Sequence, residues 1–288
     1  MCSCPACARP YRSSGRFWQV ETPRGANPWT RCRGCRTYFL VAPYTLDAEV
    51  AHTETLPWGQ LEAGLELNNF KQRMFAAVLR RLRSHQPPPA QILDVGCSFG
   101  GFSIAATRAG YDVCGMDITP GAVDYVRSLQ LKAECCSTPA DLHDIAPASL
   151  DVVTCFDCHS LWPDQPSQLD AIHDKLRPGG HLVMRAVDKS WMFAIGRRLD
   201  VLTPRLGSRV MREAVNDSRF SMPAHQLLRQ LGQQGFDVVE VSIWAAIHSH
   251  QTRWPAKVSF VLGALLWPLT HRNVAPGIVI IAKRRAGE

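Results

Sequence analysis

Two CxxC pairs, Cys4-Pro-Ala-Cys7 and Cys32-Arg-Gly-Cys35, are separated by 24 residues near the start of the chain. A CxxC bend presents two thiolates from one tight turn, so two such bends supply the four soft ligands of a tetrahedral structural Zn2+ site at Cys4, Cys7, Cys32 and Cys35. The segment between them carries turn formers, among them Gly15, Pro23, Gly25 and Pro28. Four thiolates around one Zn2+ leave a charge of −2, and without metal so short a segment has little else to fold around. Cys2 is a competing ligand, although Cys2-Ser-Cys4 makes a poorer turn. Two coincidental surface dithiols are the plainer alternative.

A second constellation begins at Ile92-Leu-Asp94-Val-Gly96-Cys-Ser-Phe-Gly100-Gly101-Phe102. An apolar run ending in a carboxylate, then a Gly-rich turn, then a helical pattern is the local form of a nucleotide-binding βαβ unit, in which backbone approaches a ligand at a helix N-terminus. The spacing is Gly96-x3-Gly100-Gly101 rather than the GxGxxG of dinucleotide sites. Asp117 follows Asp94 by 23 residues at the end of the next apolar run, where a carboxylate can hold ribose hydroxyls. Cys136-Ser137-Thr-Pro-Ala-Asp141 offers polar groups for an adenine amine at the end of the third. Further on, His248-Ser-His250 is a pair that could hold metal or serve as a base, an exposed polar loop being the alternative.

The elements that must position these residues are legible in the apolar pattern. Residues 60–83 repeat apolar side chains at Leu61, Leu65, Phe70, Met74, Val78 and Leu82, the period of an amphipathic helix, and Pro87-Pro88-Pro89 ends it. Short apolar runs then alternate with helical patterns, which predicts an α/β fold with a parallel sheet. Strands are expected at Gln91 to Val95, Asp112 to Met116, Lys132 to Cys136, Asp151 to Phe156, His181 to Val187, Phe236 to Ile243 and Gly277 to Ala282. Helices are expected at Phe102 to Ala109, Pro120 to Leu129, Pro166 to Leu176 and Pro223 to Gln234. No crossover helix fits between the last two strands, so they form a closing antiparallel pair around a long insertion.

At 288 residues and 46% hydrophobic the chain has ample material for a core. Its 11 cysteines are an odd number, and those in the sequence run only as far as Cys158, which argues against a disulfide framework. With no apolar segment at its start it is expected in the reducing cytoplasm. Val258 to Thr270, the longest uncharged apolar run, is too short to span a bilayer, which takes about 20 residues. Of the net charge of +7, residues 1–40 contribute +6, from seven Arg and the single acid Glu21.

The order of segments resembles the class I S-adenosylmethionine-dependent methyltransferases, carried by ILDVGCSFGG, GMDITPGAVDYVR and LDVVTCFD followed by LRPGGHLVMR. It is similar also to a bacterial subgroup of that family with an N-terminal zinc ribbon, through RCRGCRTYF and the Pro43-Tyr44 after it. The resemblance implies a Rossmann-like seven-stranded sheet with its last strand antiparallel, preceded by the ribbon. The implied divisions are a ribbon over 1–45, a helical lid and linker over 46–89, and a methyltransferase domain over 90–288, with substrate-cap insertions at about 188–221 and 245–276. S-adenosylmethionine would lie against Asp94, Gly96, Cys97, Ser98 and Gly100, with Asp117 on the ribose, Ile118 against adenine, Ser137 or Asp141 at the adenine amine, and Phe156 and Asp157 lining the sulfonium. Ser98 stands where the family often has a middle Gly, and the subgroup's Glu-His pair is replaced by Ser160-Leu161. The neighbouring His159 is therefore the first candidate base and His250 the second, with a polar loop histidine the alternative reading of His159. The aromatics Trp191, Phe193, Trp244, Trp254 and Trp267 fall where this fold builds its acceptor pocket, or else they pack a lid.

Three functions follow as expectations. The first is methyl transfer to O or N of a small-molecule acceptor, such as a specialised metabolite, a quinone-like ring or a glycan intermediate. The second is methylation of RNA docked on the Arg-rich ribbon, against which the remaining residues carry 25 basic and 24 acidic groups. The third is a ribbon that recruits a peptide or protein partner.

Overall fold

The computed structural model describes residues 3–11, 17–215, 217–243 and 277–286, with Val258, Val261, Leu262 and Leu265 as isolated positions. His248, His250, Trp244, Trp254 and Trp267, and most of the expected 245–276 insertion, lie outside the described residues.

The seven expected strands are present and form one sheet. They are β4 (Gln91–Val95), β5 (Asp112–Asp117), β6 (Lys132–Cys135), β7 (Leu150–Phe156), β8 (Leu176–Ala186), β10 (Phe236–Ile243) and β11 (Ile278–Arg284). Their spatial order is β10-β11-β8-β7-β4-β5-β6, parallel except that β11 runs against both of its neighbours. The reversed strand is the closing antiparallel pair that the sequence predicts. β8 starts five residues before the expected His181, because Leu176 pairs with Leu150 ahead of a register shift and draws the RPGG turn into the strand.

Helices α3 (Gly101–Arg108), α4 (Pro120–Ser128), α5 (Gln165–Lys175) and α8 (Ala224–Gln233) connect or flank these strands. Each begins within two residues of its expected start, where Pro120, Pro166 and Pro223 preset the first turn. The long amphipathic helix α2 (Leu61–His85) lays Met74, Phe75, Val78 and Leu82 beside Phe102 of α3 on Ile92, Val113 and Val152. On the opposite face α5 and α8 place Leu169, Ile172, Leu227 and Leu231 on Leu93, Val153 and Leu182. This two-sided burial accounts for the continuous apolar runs of the central strands. A short helix, α1 (Leu46–Glu54), precedes α2 and is N-capped by Thr45 Oγ1, which accepts from Ala48 N at 3.4 Å.

The N-terminal segment folds as β1 (Trp18–Thr22), β2 (Gly25–Arg31) and β3 (Tyr38–Leu40). A fourth strand, β9 (Phe220–Ser221), joins it from the other end of the 188–221 insertion, in the order β1-β2-β3-β9. That insertion otherwise forms α6 (Ser190–Leu202) and α7 (Pro204–Val215), and it packs on the ribbon sheet. Phe193, which the sequence offers to an acceptor pocket, is fully buried and stacks on Tyr38 with ring centroids 4.2 Å apart, flanked by Trp18 and Trp29. Its aromaticity serves packing because the ribbon is too small to close its own apolar face. Buried Glu49 of α1 then ties ribbon to insertion, accepting from Arg24 Nη1 at 2.8 Å and Arg219 Nη1 at 3.3 Å.

Candidate cofactor site and cysteine cluster

The four ribbon cysteines converge as their spacing requires. Their sulfurs all lie within 4.8 Å of one another, with Cys4–Cys35 at 3.6 Å and Cys7–Cys32 at 3.7 Å. A tetrahedral Zn2+ with bonds of about 2.3 Å sets its sulfurs about 3.8 Å apart, so the donor set fits that ion in number, chemistry and spacing. Both bends are built alike. Ala8 N donates to Cys4 O and Arg36 N to Cys32 O, at 2.8 and 3.1 Å, and Ala8 and Arg36 each take a positive φ. The cluster also touches the main domain, since Gln165 N donates to Pro5 O at 2.8 Å.

At the carboxyl ends of the parallel strands the Gly turn leaves β4 and enters α3. Gly96 (φ +71°) and Gly100 (φ +73°) both adopt the left-handed region, and a Cβ on Gly96 would lie 2.8 Å from Cys158 Cβ. Ser98, in the place of a family Gly, also has a positive φ, +49°. Its hydroxyl donates to Trp58 O at 3.1 Å, which fixes the turn under the segment leading into α2.

Asp117 ends β5 with its carboxylate accepting from Ser98 N and Thr119 N, both at 2.9 Å. Burial pushes its pKa up, and these backbone donors oppose the shift. The Gly turn and the following strand are thereby locked through one carboxylate. Asp94, expected near the methionine end of the cofactor, is held from within the sheet. It is 2% exposed, and its oxygens accept from Thr154 Oγ1 and Ser103 Oγ, each at 2.8 Å, so it bolts α3 and β7 to β4. Burial raises its pKa to about 6 against the pull of those two hydroxyls.

Asp157 follows β7 directly, with φ +66°. Its Oδ1 is held by the Arg185 guanidinium from β8 and its Oδ2 accepts from Lys71 Nζ of α2 at 3.1 Å. Burial acts to raise its pKa, but Arg185 and Lys71 outweigh it and hold the carboxyl at about 2. Lys71 and Arg185 escaped the sequence reading. Arg185 sits on an apolar strand, an incongruity that could have marked it, whereas Lys71 is one of several polar residues on α2.

The structure thus gathers Asp94, Gly96, Cys97, Ser98, Gly100, Asp117, Ile118 and Asp157 at one end of the sheet. Ser137 and Asp141 lie together at the end of β6, 3.4 Å apart. Within the group, Cys97 is turned into the core with Val123, Val126 and Ala133. Phe156 ends β7 at the same end of the sheet. Strand alternation sends its ring to the α2–α3 face, against Phe102 and Phe75 at 4.8 and 5.2 Å. His159 is also turned away, 2% exposed between the rings of Trp162 and Phe220. Burial lowers its pKa to about 4.

A seven-stranded sheet with one reversed strand, and a Gly turn feeding a carboxylate on the next strand, define the class I S-adenosylmethionine-dependent methyltransferase fold. The chain belongs to the methyltransferase-domain family, whose model matches residues 67–241. Among curated relatives it is similar to the ubiquinone biosynthesis O-methyltransferases of Alkalilimnicola ehrlichii, 30% identical over 113 residues, and Idiomarina loihiensis, 32% over 114. Each match covers 36% of this chain and 46% of the relative, so the chain spans about half the length of the curated relatives it matches. Among solved structures, the 1,6-didemethyltoxoflavin-N1-methyltransferase of Burkholderia thailandensis shares the fold. It is 14% identical with a TM-score of 0.54, over 89% of this chain and 99% of that one.

Proposed function

We propose that this chain transfers a methyl group from S-adenosylmethionine to an oxygen or nitrogen of a small molecule. The observation that carries the reading is the lock between Asp117 and the Gly turn at the carboxyl ends of β4 and β5. The names of the curated relatives favour a hydroxyl on a quinone-like or other aromatic ring as the acceptor. When bound, S-adenosylmethionine supplies a methyl already activated by the sulfonium charge, so the protein's work is alignment and exclusion of water.

In this reading Asp117 takes the ribose hydroxyls, Ile118 faces adenine, and Ser137 or Asp141 receives the adenine amine. Backbone of Gly96, Ser98 and Gly100 passes close to the donor, and Asp157 stays ionised through Arg185 and Lys71. The α1–α2 segment closes over the turn through the Ser98–Trp58 bond. His159 is assigned to packing beneath β9 rather than to base chemistry, on the strength of its burial and its lowered pKa. Cys4, Cys7, Cys32 and Cys35 hold a structural Zn2+. The ribbon is proposed to comprise residues 1–45 completed by β9, with 46–89 as lid and linker before the methyltransferase domain.

The RNA reading is less favoured because the ribbon's arginines are partly committed within the molecule. Arg24 binds Glu49, Arg31 lies over the Tyr38 ring at 5.4 Å, and Arg9 packs over Gly34. Incubating the full chain with methyl-labelled S-adenosylmethionine tests the assignment. Label is expected in catechol or hydroquinone acceptors and none in transfer or ribosomal RNA, and label in RNA alone would overturn it.

A further inference from the structure

The α6–α7 hairpin leaves β8 at the same end of the sheet as the Gly turn. Asp188 fixes its base by accepting from Ser190 N at 3.0 Å and from Ala224 N, the first residue of α8, at 2.8 Å. Its inner side is committed to the ribbon through Phe193, Met211, Ala214 and Val215. The two helices close tightly because Gly207 has no side chain, a Cβ there falling 2.4 Å from the Asp200 backbone.

The outer end is different. All six residues from Val201 to Leu206, which turn one helix into the next, are exposed. Leu202 is 81% exposed, Val201 68% and Leu206 48%, with Ile195 of α6 at 43%. Apolar residues scattered singly over a surface need no explanation, but three large aliphatics within six residues at the tip of one helical hairpin form a patch. Arg198, Arg205, Arg209 and Arg212 are exposed on the same hairpin, and among the described residues none of them makes an ion pair. Residues 190–215 hold five arginines against Asp200 and Glu213. Arg205, Arg209 and Arg212 are spaced along one face of α7, beside the stripe of Leu206 and Val210.

An aliphatic tip followed by an arginine-bearing helix face suits the boundary between headgroups and acyl chains of an anionic bilayer, where the aliphatics leave water and the cations meet lipid phosphates. We propose that the α6–α7 tip docks this protein on an anionic lipid surface. The charge selects that occupant over an uncharged apolar partner. Docking is peripheral, since no described helix is long and apolar enough to cross a membrane. It would bring the cofactor end of the sheet toward molecules dissolved in the bilayer, although the docking itself does not depend on the methyl-transfer reading.

The test is co-sedimentation of the full chain with vesicles of phosphatidylcholine alone and of phosphatidylcholine with phosphatidylglycerol at about 7:3. Binding is expected on the mixed vesicles, weakening with salt, and at least roughly tenfold weaker on phosphatidylcholine alone. Val201→Ser with Leu202→Ser is expected to weaken it roughly tenfold or more, and Arg205→Gln with Arg209→Gln to remove most of the salt dependence. All of these side chains are exposed, so the variants should keep the thermal stability of the parent, which shows that they fold. No binding to mixed vesicles, or binding unchanged in Val201→Ser with Leu202→Ser, would overturn the proposal. So would self-association in sedimentation velocity, lost in that variant, without vesicle binding, which would assign the tip to a second copy of this chain.

Discussion

Single buried side chains carry their own titration behaviour. His159 is held neutral by burial, with its pKa lowered from 6.5 to about 4. The unfolded chain takes up that proton below pH 6.5 and the native state does not until about pH 4. The contribution of this group to stability is therefore complete above pH 6.5 and is lost on acidification toward pH 4, on the order of 3 kcal/mol in all. Denaturant unfolding at pH 7 and pH 4.5 should show His159→Gln losing less stability between the two than the parent does. An identical loss would mean that the ring is solvated. Asp157 behaves in the opposite way to an unpaired buried acid, because two cations bind it. Arg185→Met should raise its pKa and destabilise the fold by about 2–4 kcal/mol at pH 7, read from the unfolding midpoint. Asp94 shows what sequence order leaves out. Its place before the Gly turn gives no sign of its two hydroxyl partners, Ser103 and Thr154, the latter 60 residues along the chain.

Among the elements, α2 is the one whose position the site depends on. Gly64 lets it lie on the Gly turn, since a Cβ there would fall 2.2 Å from the Phe99 ring. Gly64→Ala should hold α2 off the turn and weaken S-adenosylhomocysteine binding roughly tenfold while leaving the sheet's thermal transition within a few degrees. β9 is two residues long, yet Phe220 is fully buried, and Phe220→Ala should cost about 3–5 kcal/mol and open the ribbon to proteolysis. The central strands and their helices were legible because each carries a period and a terminator, as Ile92 to Val95 and Pro120 do. β9 was not, because Phe220-Ser221 has no period of its own and pairs only through Tyr38 and Phe39. The same limit hid the orientation of α6, whose Phe193 reads equally as pocket or core until the partner sheet is known. The face that Phe156 takes is simpler to read, since alternation along β7 puts it opposite Cys155 and Val153.

For the whole molecule, the charge gathered in the first 40 residues turns out to be partly internal wiring, with Arg24 buried on Glu49 in company with Arg219. The N-terminal strands are joined to the rest of the chain through β9, α6, α7 and the Pro5–Gln165 bond, so the state of the cysteine cluster should be felt beyond residue 45. Stripping metal with a strong chelator is expected to lower the first thermal transition and to make the β1–β3 region cleavable by protease, as loss of a structural zinc does. An unchanged melting curve after metal is shown to have left would remove zinc from the account. The central claim is that the carboxyl ends of β4 and β5 hold S-adenosylmethionine through Asp117. Calorimetric titration of the full chain with S-adenosylhomocysteine, beside a folded Asp117→Ala variant, tests it most directly. Binding at one site per chain with a micromolar dissociation constant, weakened roughly a hundredfold in the variant, is the predicted result, as expected for loss of charge-assisted hydrogen bonds to ribose. No binding by the parent chain, or equal binding by both proteins, would contradict it.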